Sequence, residues 1–89
     1  MEEIRIATRS VQDQASRNRT FHYDLVVEQV ESGRFTCEDY GVKITEEGGE
    51  STTVPGITTS AVRIDELLEL LVRNRVGPAA LNDVMADWL

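Results

Sequence analysis

Residues 20–30 read TFHYDLVVEQV, and their alternation decides the fold. Phe21, Tyr23, Leu25 and Val27 fall on one side of an extended chain, and His22, Asp24, Val26 and Glu28 fall on the other. One apolar and one polar face is what an antiparallel sheet with a single covered side requires. Upstream, Ile4 and Ile6 alternate with Glu3, Arg5 and Ala7, and Thr8 and Ser10 continue the same side as far as Val11. The polar run Gln12–Arg19 between these strands reads as a flexible hairpin loop. Downstream, Ser32-Gly33 is a tight turn in which Gly supplies the positive φ. The next strand, Arg34 to Thr45, has Phe35 and Cys37 on odd positions but Tyr40, Val42 and Ile44 on even ones. Either a bulge near Asp39-Tyr40-Gly41 shifts the phase, or apolar residues serve both faces. Gly41 beside the change of parity favours the bulge. Glu46–Glu50 is a second turn, and Ser51–Thr58 is a fourth strand. Pro55 within it has no N–H for a ladder and assigns it to an edge.

From Thr59 the period becomes helical. Thr58-Thr59-Ser60 offers capping hydroxyls. Ala61, Ile64, Leu67, Leu68, Leu71, Val72 and Val76 cover roughly half of a wheel turning about 100° per residue, wide enough to meet both a sheet and a second helix. Gly77-Pro78 ends this helix and starts another, on which Leu81, Val84, Met85 and Trp88 cluster. The order is ββββαα, an α+β single domain over 1–89. An antiparallel meander of three to four strands (1–58) is covered on one face by a two-helix hairpin (59–89). The expected core comprises Phe21, Tyr23, Leu25, Val27, Val42, Ile44, Ile64, Leu67, Leu68, Leu71, Leu81, Val84 and Trp88.

Composition narrows the function. The 89 residues are 40% apolar and 28% charged, enough apolar surface for one folded domain. No stretch is apolar enough to span a bilayer, the charged start MEEIR is no secretory signal, and the single Cys37 makes no internal disulfide. A cytoplasmic location is expected. A net charge of −7 disfavours direct binding to nucleic acid or to an anionic membrane.

The second half also carries Tyr40-Gly41-Val42-Lys43-Ile44, the helix start Thr58-Thr59-Ser60, Leu67-Leu68-Glu69-Leu70-Leu71, and the closing run from Val76-Gly77-Pro78 to Leu89. Over about residues 23–89 these resemble a family of short bacterial proteins of unknown function. Members of that family commonly place a serine before the proline, where this chain has Gly77. The resemblance supports the fold and implies no activity.

No constellation of side chains points to catalysis, a cofactor or a metal. Parity places Cys37 on the core side and His22 opposite, so thiol and imidazole cannot meet; a small buried thiol is the simpler reading. One His and one Cys do not make a zinc site, and Asp83/Asp87 or Glu46-Glu47 with Glu50 lack the ligand steps of a calcium loop. The open sheet face, with Arg5, Arg9, His22, Asp24, Val26 and Glu28, is the candidate interaction surface. The expectation is a small acidic, non-enzymatic protein-binding or regulatory module with an unidentified protein partner. The alternative is a phage-type acidic mimic of nucleic acid that inhibits a nuclease or another DNA-binding protein. Strand one is an exposed edge, and two antiparallel copies of it would bring Glu3 near Arg9. Monomer and weak homodimer, the latter through strand one or the His22 face, are both consistent with that arrangement.

Overall fold

Alternation and helical spacing produce the expected order in a computed structural model that describes residues 1–89, the side chain of Ser32 excepted. Strands β1 (Glu2–Gln12), β2 (Asn18–Ser32), β3 (Phe35–Glu46) and β4 (Ser51–Thr58) form one antiparallel sheet in the order β1-β2-β3-β4. Helix α1 (Ala61–Arg73), a 3₁₀ turn at Pro78–Ala80 and helix α2 (Leu81–Trp88) follow.

The β2–β3 hairpin is the spine of the molecule. Its register is unbroken from Phe21↔Glu46 to Ser32↔Phe35, so no bulge lies between these strands. The parity change in β3 therefore has the other explanation: Val42 and Ile44 share the covered face with Leu25 and Tyr23, while Phe35 and Cys37 share the His22 face. The register slip near Gly41 is against β4, where the partners pass from Val42↔Val54 to Tyr40↔Thr58 and the extra residues belong to β4. Pro55-Gly56 loops across Gly41, and a Cβ on Gly41 would run into the Val54 carbonyl and the Pro55 Cα. Gly is there because another backbone passes over it.

A second slip separates Arg5↔Asp24 from Ala7↔Tyr23, leaving Ile6 as the extra residue of a bulge in β1. Past the slip the side chains change sides. Ala7, Arg9 and Val11 lie on the helix face, and Thr8 and Ser10 lie on the His22 face. The loop between β1 and β2 is shorter and better fixed than expected. Asp13 accepts hydrogen bonds from the amides of Ala15 and Arg17, both at 2.9 Å. The Arg17 amide in particular holds this carboxylate below its ordinary pKa.

Ser60 caps α1, its hydroxyl accepting from the Arg63 amide at 3.2 Å. Ile64, Leu67, Leu68 and Leu71, spaced i, i+3, i+4, i+7, are buried against Phe21, Tyr23, Val42 and Ile44. Leu81 and Met85 complete this core, and Leu25, Val84 and Trp88 sit half-buried at its margin. The Arg63 guanidinium lies over the Trp88 ring, 4.5 Å from its centroid. The helix ends at Arg73, short of the expected Val76. Asn74 caps it, Arg75 takes a left-handed φ of 50°, and the amides of Arg75 and Val76 return to the carbonyls of Val72 and Leu71. That is the Schellman pattern with arginine where glycine is usual. The freed Val76 carbonyl accepts from the Tyr23 hydroxyl at 2.9 Å, anchoring the interhelical link to β2.

β1 and β4 flank only part of the hairpin. β1 reaches Val27 on β2, and β4 reaches Tyr40 on β3. Beyond them, residues 28–39 continue alone as a two-stranded arm, and the molecule measures 54 × 24 × 17 Å. Its radius of gyration, 14.0 Å, exceeds the roughly 12 Å expected of a rounded chain this long.

Candidate interaction surfaces

Five of the six residues expected on the open sheet face are there, and three of them, Arg5, His22 and Asp24, are joined through the Arg5 guanidinium. Arg5 Nε donates to Asp24 Oδ1 at 2.6 Å, and Arg5 Nη1 lies 3.2 Å from His22 Nδ1. A guanidinium only donates, so His22 Nδ1 accepts, and the Thr8 hydroxyl 2.9 Å away donates to the same nitrogen. Lys43 Nζ reaches over β2 to Glu3 Oε1 at 3.1 Å, tying β3 to β1. Asp24 and Val26 lie beneath this lattice, and Val26 is only 1% exposed. Val26 is therefore not the open apolar point that alternation suggested: its neighbour Gly41 carries the β4 crossing, and the Glu3–Lys43 pair spans the strand beside it.

Arg9, the sixth, is on the other face. The bulge at Ile6 turns it toward α1, where it lines a cleft with Ile6, Asp65, Glu69 and Arg73. The same slip separates Glu3 from Arg9 by a face, which removes the expected attraction between two edge-paired copies.

Cys37 is exposed, not buried, and lies on the His22 face. It stands opposite Val30, whereas His22 stands opposite Thr45. Eight residues along a strand separate them by about 26 Å. Thiol and imidazole are kept apart by distance, not by facing opposite ways. Glu46, one of the acids of the second turn, is held by Arg19. Among the described residues no three of His, Cys, Asp and Glu converge as a metal site would need.

Two surfaces escaped the reading of the sequence. The first is the arm, where Val30, Phe35 and Cys37 share one face with no element over them and Phe35 is 78% exposed. Glu28 and Asp39 stand opposite each other at its root, and Glu31 and Glu38 lie on its reverse face. Arg34 in the turn is its one base. The off-phase Phe35 and Cys37 were the available signal for it. The second surface is the strip between β1 and α1. The helix packs chiefly over β2, β3 and β4, leaving Ile4 and Ile6 exposed beside it.

Among the described residues no helix is long and apolar enough to cross a membrane. No curated protein and no solved structure matches the chain. A family of unknown function matches residues 2–89, extending the resemblance seen in the second half through β1. The chain belongs to this family of unknown function, DUF6514.

Proposed function

We propose that the protein is a small acidic, non-enzymatic binding module of the cytosol that engages another protein through its distal arm. The observation that carries this reading is the exposed row Val30–Phe35–Cys37 on a strand pair that no other strand or helix covers among the described residues. A two-stranded ribbon is marginal by itself, and an exposed aromatic at its end costs solvation that a partner would recover. Exposed aromatics surrounded by polar groups are the usual anchors of interfaces. The occupant that fits is an apolar cleft with a basic rim on a different protein, because Glu28 and Asp39 stand at the root of the row and Glu31 and Glu38 line the back of the same arm. A second copy of the arm would set these acids against themselves.

The nucleic-acid mimic has less support. Mimicry needs a continuous acidic surface, whereas Glu3, Asp13, Asp24 and Glu46 are each paired with a base. Catalysis has less still, since His22 is engaged by Arg5 and Thr8 far from the thiol.

A photo-crosslinking residue placed at position 37, and as a control at Asp83 on α2, tests the reading in cells of the native host. Partner adducts are expected from position 37 and not from 83, and Phe35→Asp should abolish them. Adducts indifferent to Phe35→Asp, or none from position 37, would overturn it.

A further inference from the structure

The groove between β1 and α1 has one feature that the arm lacks: its charges are ordered along its length. Ile6 and Leu68 form its floor, and Ile6 is 47% exposed. Toward the start of α1 the groove opens onto Val62, exposed by 68%, with Asp65 beside it. Toward the other end lie Glu69, then Arg73 and, from β1, Arg9. The groove therefore runs from acidic to basic along a helix of thirteen residues, about 20 Å.

We infer that this groove receives a second copy of the chain in a two-fold dimer, with the two α1 helices antiparallel across it. A two-fold axis makes the interface isologous, so each end of the groove meets the opposite end of its partner. Asp65 and Glu69 of one copy then face Arg73 and Arg9 of the other, twice over, and the two Ile6 side chains are covered together. A parallel placement would oppose acid to acid. The bulge at Ile6 fits this geometry, because it spoils the β1 edge for strand pairing while turning Ile6 toward the helix. Two copies each carrying −7 repel at long range, so the dimer is a weak one held by local complementarity.

Sedimentation equilibrium on the full chain tests this with a charge exchange. The wild type should pass from 10.0 kDa toward twice that mass as concentration rises. Asp65→Lys with Glu69→Lys should weaken association at least tenfold, as should Arg9→Glu with Arg73→Glu. An equimolar mixture of the two variants should restore it. All four positions are solvent-exposed, and circular dichroism verifies each fold. If either double variant unfolds, Ile6→Ser takes its place and should give the same loss. A mass fixed at 10 kDa, a dimer indifferent to these changes, or folded variants whose mixture stays monomeric would overturn the proposal. Phe35→Asp should leave the dimer intact, so failure here and failure of the arm are separable; a dimer lost on that change would overturn the groove as its site.

Discussion

The two ends of the β2–β3 hairpin share one unbroken register and the same alternation, yet they have opposite fates. At the near end Tyr23↔Ile44 and Leu25↔Val42 lie beneath α1, and Tyr23, Ile44 and Val42 are wholly buried. At the far end Val30↔Cys37 and the exposed Phe35 face water. Strand propensity is alike at both ends; what differs is that β1 and β4 flank the near end, and the helices cover it, while the far end has neither. Apolar side chains mark where a surface is available for burial, and only the surrounding topology says whether the chain itself provides the cover.

The widest test of that contrast sets Leu68 against Phe35. Leu68→Ala removes a buried side chain and should cost about 2–5 kcal/mol in chemical denaturation. Phe35→Ala removes a larger one and should stay within about 0.5 kcal/mol, because its site is exposed. Equal losses would mean that the arm is packed against the body and would erase the distinction. Next in size is Gly41→Ala, at the boundary where Pro55 crosses the sheet. The added methyl meets backbone instead of a yielding side chain, so a loss of about 1–3 kcal/mol is expected. A neutral result would show the β4 crossing free to lift.

Arg5→Ala probes the stitched face. Asp24 would stay buried without its ion pair, at a cost of about 1–3 kcal/mol. Double substitution with Asp24→Ala should recover part of that loss, as expected when the penalty is an orphaned carboxylate. Unchanged stability would free this face for the partner-binding role that the alternation suggested.

Local spacing explains what was legible in the sequence. The faces of β2 and the stripe Ile64, Leu67, Leu68, Leu71 depend on neighbours a few residues away, and both are found as read. The register slips are different, because a bulge belongs to a pair of strands. Ile6 looks like an ordinary alternating residue, and only its pairing with β2 shows the extra residue that moves Arg9 to the helix face. Gly41 marked the right place for the wrong strand, since its missing side chain accommodates a crossing whose extra residues are Pro55 and its neighbours. The family resemblance supported the architecture but no site, so the arm and the groove came from geometry alone.

Tyr23 gives a smaller effect with a direction in pH. Burial raises its phenol pKa above the ordinary value near 10, against a partial pull downward from Arg75 and Arg9. Below pH 10 the phenol is neutral folded and unfolded, and its bond to the Val76 carbonyl is intact. As pH rises past the unfolded value, the unfolded chain releases the proton first, so stability falls until the folded pKa is passed. Tyr23→Phe should cost about 1 kcal/mol at neutral pH through loss of that bond, and should flatten the alkaline slope. A slope that persists unchanged would assign it to other groups.

The smallest effect concerns the residue that ends α1. Arg75 carries a left-handed φ of 50°, a conformation that costs a side-chain-bearing residue energy and costs glycine little. Its amide and that of Val76 close the helix on Val72 and Leu71, and both bonds survive any change of side chain. Arg75→Gly therefore removes strain and keeps the cap, against the greater freedom glycine gives the unfolded chain. A net gain of about 0.5 kcal/mol is expected in thermal or chemical denaturation. The gain should be confined to the body, leaving adducts from position 37 on the arm as they were. Under the groove proposal the dimer should persist as well, because Arg73 and Arg9 supply the basic end. A loss of stability would mean that the arginine side chain contributes more at this corner than its backbone strain takes away.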